Sequence, residues 1–84
     1  MMQYRYQFAS DVVRDGMGLE LTDERWNVLA DVFRCDANKS LTISLFSEGL
    51  PFTEIEKLGS MAWKELGSFE DGTPLPEQRE LNNG

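Results

Sequence analysis

The sequence predicts an α+β domain, an antiparallel β-meander of about four strands with one C-terminal α-helix packed on one face. Three observations carry this. The stretches "MQYRYQF" (2–8) and "SLTISLF" (40–46) alternate between apolar and polar residues with the period of two that marks a half-buried strand. "TEIEKLGSMAWKELG" (53–67) instead repeats its apolar residues at helical spacing. "DANKS" (36–40), between two apolar runs, is rich in residues that tolerate turn geometry, as a hairpin loop is.

The elements follow in order. In the first strand Met2, Tyr4, Tyr6 and Phe8 fall on one side and Gln3, Arg5 and Gln7 on the other. "ASDVVRDGMG" reads as a short helical or irregular crossing, with Ser10 able to cap one helical turn and Gly16 and Gly18 ending it. "GLELTDERWNVLADVFRCD" supports two readings. As a helix, Thr22 is the N-cap, Asp23 and Glu24 fill the first turn, and Trp26, Leu29, Ala30 and Phe33 form a stripe. As strands, Leu19 and Leu21 point inward, "TDERWN" is a loop, and residues 27–34 follow with Val28, Ala30 and Val32 on one face and Leu29 and Phe33 on the other. Periodicity alone leaves both open.

The helix over 53–66 is the clearest element. Thr53 and Glu56 have capping-box spacing, Ile55, Leu58, Ala62 and Leu66 make the apolar stripe, and Gly67 is a natural stop. Gly59 and Ala62 are expected on its buried side, where small residues permit close approach to a sheet. Phe69 is expected to fold back onto the core. The organisation read from this is a single small domain over 1–70 and a flexible, acidic, Pro-rich tail over 71–84.

The pieces "RDGMGLEL" (14–21), "NVLADVFRCD" (27–36), "LTISLF" (41–46) and "ELGSFEDGTPL" (65–75) resemble a pattern of small uncharacterised bacterial proteins, in which two strands of these types lead to a third, an "LP" break, a helix and "FEDGTP". The resemblance covers roughly residues 14–75 and implies strands for residues 17–34. It carries no function. Trp26 departs from it, since a turn-former such as Gly is expected near that position.

Length allows one domain, and a chain of 84 residues buries only ~60–65% of the surface its unfolded form exposes. Its 15 acids and 8 bases give a net charge of −7. Residues 41–84 hold eight acids against three bases, so the excess lies mostly in the second half. The bases are scattered, which argues against direct nucleic-acid binding and against an anionic membrane surface. One cysteine permits no internal disulfide, and no apolar run reaches the length of a signal peptide or of a membrane span, so a cytoplasmic protein is expected, while the resemblance implies a bacterial or phage origin.

Chemistry-bearing patterns are few. "DANKSLTIS" places Asp36, Asn38, Ser40, Thr42 and Ser44 at the oxygen-bearing positions of a calcium loop. The glycine of the sharp turn is replaced by Leu41 and the bidentate glutamate by Ser47, so a hairpin loop is the better reading and a degenerate EF-hand-like protein the weaker alternative. The chain has no histidine, and Cys35 has no histidine to activate it. Asp23–Glu24 and Glu70–Asp71 lie in polar segments, and the glycines of "DGMG" lack the Lys-Ser/Thr of a phosphate loop. No enzyme activity, no cofactor and no metal are expected.

What remains is a small acidic non-enzymatic protein-interaction module of inhibitor or adaptor type, with a structural or housekeeping homodimer as the alternative. The partner is then another protein or a second copy. Candidate contacts are Tyr4, Tyr6, Trp26 and Phe46, placed on the sheet face the single helix leaves uncovered, and Glu70 and Asp71 from the acidic segment. Calorimetric titration with millimolar calcium is expected to give no saturable heat, and a saturable, calcium-specific signal would overturn the hairpin reading of residues 36–44.

Overall fold

The computed structural model describes residues 3–75. Four strands, β1 (Arg5–Asp11), β2 (Gly16–Thr22), β3 (Val28–Cys35) and β4 (Ser40–Leu45), form one antiparallel sheet in the order β1-β2-β3-β4, and α1 (Phe52–Glu65) lies on one face. The predicted meander with one helix is the fold.

Residues 19–34 are strand rather than helix because the apolar residues of two neighbouring strands meet on one side. Leu19 stands opposite Val32 and Leu21 opposite Ala30. With Leu58 and Ala62 from the helix and Leu66, its C-cap, they form an apolar core, and Met17, Leu41, Leu50, Ile55, Met61 and Leu75 pack around it. The helix crosses β2 and β3.

Each hairpin turn puts one non-glycine residue in the left-handed region: Asp15 (φ 56°), Trp26 (φ 67°) and Lys39 (φ 56°). The residues from 10 to 16 are not a helical crossing. β1 runs on to Asp11, Ser10 pairs with Met17, and the Asp11 carboxylate accepts the Arg14 N–H at 2.9 Å to hold a tight turn. Trp26 occupies the position where a turn-former is expected. Its backbone is held by the Asp23 carboxylate, which accepts the N–H groups of Arg25 and Asn27, and its ring carries the Arg5 guanidinium at 4.6 Å. That contact offsets part of the ~1–2 kcal/mol that an L-residue spends in this conformation.

The capping box does not form. Pro51 is the N-cap, with no side-chain cap bond, and its carbonyl accepts the Ile55 N–H, which puts Thr53 inside the helix. Proline's missing N–H removes nothing from the helix here, since the N-cap N–H makes no intrahelical bond. Gly67 ends the helix with φ 69°, as its identity predicts.

Residues 71–75, expected in a flexible tail, form part of a hydrogen-bonded turn. Phe69 is buried, its N–H donates to the Thr73 carbonyl, and Gly72 N–H donates to the Phe69 carbonyl. The rest of the expected tail, residues 76–84, lies outside the described residues.

Gly59 and Gly16 have opposite tolerances. A Cβ at Gly59 meets nothing within 4 Å, so closeness to the sheet does not explain that glycine. A Cβ at Gly16 would meet the Arg34 carbonyl oxygen at 1.9 Å and the Phe33 ring at 2.7 Å. Gly59→Ala is expected to stabilise the protein by ~0.5–1 kcal/mol and Gly16→Ala to destabilise it by ~1–3 kcal/mol or more in urea denaturation.

Candidate functional site

The sheet face opposite the helix carries Arg5, Gln7, Ala9 and Asp11 from β1, Gly16, Gly18, Glu20 and Thr22 from β2, Asp31 and Phe33 from β3, and Ser40, Thr42 and Ser44 from β4, by the pairing register. It is polar, with one large apolar side chain. Phe33 stands opposite Gly18, and its ring reaches over Gly16, where no Cβ intervenes. The Arg14 guanidinium lies 4.0 Å above that ring, so Phe33 is buried on a face that no helix of the described residues covers. Beside it, Asp31 has a side chain only 6% exposed, 4.0 Å from Arg14, and its Oδ1 has no hydrogen-bond partner among the described residues. Burial pushes the Asp31 carboxyl above the usual carboxylate range, the Arg14 charge partly opposes this, and Glu20, opposite on β2, adds to the rise.

This arrangement corrects the expected position of the tyrosines. Tyr6 stands opposite Leu21 on the helix side, packs with Tyr4 against the core, and donates its hydroxyl hydrogen to Glu54 Oε1 at 2.8 Å. Burial, then that bond, raises the Tyr6 hydroxyl well above its ordinary pKa. Tyr4 and Tyr6 share one face, as their alternation predicts, and that face is the one the helix covers.

The remaining candidates divide between the two ends of the sheet. Trp26, beyond the end of β2, and Phe46, beyond the end of β4, lie at one end. Glu70 and Asp71 lie at the other, beside the turns of residues 12–15 and 36–39. Here the side chains are occupied with one another. Arg34, at the end of β3, donates to the carbonyls of Leu66 and Ser68 at the foot of the helix. It also forms an ion pair with Asp36 at 3.2 Å, and Asp36 accepts the Glu70 N–H at 2.8 Å. Asp71 pairs with Lys39 at 2.8 Å, which holds its carboxyl far below the usual range. The carboxylates of Asp15, Asp36 and Glu70 approach within 4.8 Å of one another. Asp36 already meets the Arg34 cation and an N–H donor, so this cluster is first of all a clamp that ties the segment after the helix to β3. The calcium-like pattern at 35–44 is a hairpin: Ser40, Thr42 and Ser44 extend along β4, spread over too great a length to surround one ion.

One surface was missed from the sequence. The helix lies over β2 and β3, so the apolar residues of the edge strand β4 stay open on the helix side: Ile43 is 51% exposed and Leu45 is 61% exposed, with Phe46 beyond them at 62%. A groove of about 600 Å³ opens beside them, lined by Leu45, Phe46, Leu50 and Ile55 together with residues 47–49. β4 carries no charged residue and no proline, whereas the other edge, β1, begins with Arg5 and ends with Asp11. The signal available in "SLTISLF" is an uncharged alternating strand that runs directly into Phe46, and its place at the edge comes from the strand order.

Compared with protein-family models, with curated proteins and with solved structures, the chain matches none.

A raised carboxyl pKa means that the folded state holds the proton more tightly than the unfolded chain. Ionising Asp31 therefore removes stability as pH rises, from the ordinary carboxyl pKa up to the folded one. Asp31→Asn is expected to stabilise the protein at neutral pH, and the gain should vanish below about pH 3. Urea denaturation at both pH values measures it.

Proposed function

We propose that this protein is a small interaction module that binds another protein chain through the edge of β4 and the adjoining apolar groove, and that it performs no covalent chemistry itself. The observation that carries this is the coincidence, on one edge, of an uncharged strand and half-exposed Ile43, Leu45 and Phe46. Edge strands of soluble proteins are commonly protected by charge, proline or a covering element, and β4 has neither charge nor proline. A chain added to it would gain backbone hydrogen bonds from the strand and apolar contacts from alternate side chains.

The acidic surface supports a secondary role. Asp71 is paired with Lys39, Glu54 with Lys57, and Asp11 with Arg14, so part of the excess charge is already met within the molecule. Charge of one sign still favours solubility and speeds approach to a basic partner. The absence of histidine from the sequence, and the engagement of Asp36, Glu70 and Asp71 in a structural clamp, favour binding over catalysis.

The test is affinity capture with the immobilised protein at low and high salt. Capture is expected to persist at high salt and to be lost on Leu45→Lys, whose side chain is more than half exposed and whose replacement leaves the core intact. A capture that disappears with salt and ignores Leu45→Lys would place the contact on the acidic surface instead.

A further inference from the structure

We propose that the occupant of the β4 edge is a second copy of this chain, paired antiparallel to the first about a two-fold axis through Ile43. This rests on the reading of β4 as the contact surface and adds the identity of the partner.

The first argument comes from the backbone. Phe46 donates its N–H to the Leu29 carbonyl at 2.8 Å, continuing the β3–β4 ladder by one residue. In an antiparallel ladder the bonding groups of alternate residues point to opposite edges. The even-numbered residues of β4 therefore bond inward to β3, and Leu41, Ile43 and Leu45 present their N–H and C=O groups to the open edge.

The same three residues carry apolar side chains on the helix side of the sheet, since they pair with Arg34, Val32 and Ala30. Backbone valence and apolar surface thus coincide on the same positions. A partner strand that satisfies the first must also meet the second.

The order of residues makes the strand complementary to itself. With Ile43 on the axis, Ile43 faces the partner's Ile43 and Leu41 faces the partner's Leu45, while Thr42 faces the partner's Ser44 on the polar face. Each of these odd-numbered pairs can exchange two backbone hydrogen bonds. Moving the axis by one residue along the strand sets Leu45 against the partner's Lys39 or Leu41 against the partner's Ser47. A half-residue move pairs apolar with polar positions across the two faces, which the pleat forbids.

Charge agrees with this register. Within β4 there is none to repel a second copy of a chain with net charge −7. Beyond the ends of β4, Lys39 lies in the β3–β4 turn, where Asp71 already meets its charge, and Glu48 lies in the bend after the strand, so neither sets a charge within the paired strands. Both Lys39 and Glu48 are exposed. β1, the other edge, has a charge at each end and no such symmetry.

Pairing about an axis perpendicular to the sheet gives one continuous sheet of twice the strands, with both helices on the same side. Leu41, Ile43 and Leu45 of the two copies form its central apolar strip.

Sedimentation of the full chain from micromolar to millimolar concentration tests this. A reversible dimer that salt does not weaken is expected, and Ile43→Lys should weaken it roughly tenfold or more while the circular dichroism spectrum stays unchanged. As a second measurement, Ile43→Cys in a Cys35→Ala background places two thiols across the axis, where the Cα separation of ~5.5 Å in a bonded pair suits a disulfide. Mild oxidation should give a covalent dimer faster than a Ser60→Cys control on the helix, and this measurement decides the matter if Ile43→Lys fails to fold. A chain that stays monomeric throughout, a dimer indifferent to Ile43→Lys, or cross-linking no faster than the control would each overturn the proposal. A monomeric chain whose capture of another protein is lost on Leu45→Lys would overturn the second copy as the occupant and leave the β4 contact surface standing.

Discussion

A single helix about 10 Å across spans roughly two strands of a sheet whose strands lie ~4.8 Å apart. This sheet has four. The apolar core is therefore limited to the strip where α1 meets β2 and β3, and the buried residues Leu19, Leu21, Ala30, Val32, Leu58, Ala62 and Leu66 mark its extent. The edge strands receive less cover, and each handles this differently. On β1, Tyr6 reaches the helix through its hydroxyl bond to Glu54, while Phe8 remains half exposed. On β4 nothing comparable among the described residues reaches across Ile43 and Leu45. The open edge is thus a consequence of the ratio of helix to sheet.

The uncovered face meets the same shortage by other means. Phe33 is laid over β2 where glycines leave room, and Arg14 from the first hairpin turn roofs it. One aromatic ring and one guanidinium do there what a second helix does in larger domains. The cost is visible next to them, in the nearly buried Asp31 carboxylate and in the Thr22 hydroxyl, both with a polar atom that finds no partner among the described residues. The pieces "RDGMG" and "VFRCD" are thus explained together: the glycines admit Phe33, Arg14 covers it, and Arg34 and Asp36 hold the segment after the helix.

Much of this could be read from the sequence, and the failures have physical causes. The strands with strict alternation and the helical stripe were legible because one face of each is buried. Residues 23–35 were not, because Trp26, Leu29, Ala30 and Phe33 satisfy a helical period as well as two strand faces. Only the pairing of Leu19 with Val32 and Leu21 with Ala30 decides between them. The face occupied by Tyr4 and Tyr6 was misjudged because period two shows which residues share a side and not which side the helix takes. The Arg34–Asp36 clamp was invisible because its partners are main-chain groups some thirty residues away in sequence. For the candidate site, the exposed Phe46 was found, but the edge was not, since strand order is a tertiary fact.

The meander also orders events in time. Every strand pairs with its neighbour in sequence, across turns of four or five residues, so closing each hairpin loses little chain entropy. The sheet can therefore assemble progressively as the chain is made, with its apolar side still bare. The helix that covers that side follows β4, and its end is fixed only when Arg34 finds the carbonyls of Leu66 and Ser68 and Asp36 finds the N–H of Glu70. On a ribosome, this protein would finish folding only after nearly all of the described chain has emerged, and until then its core face and its β4 edge would be exposed together.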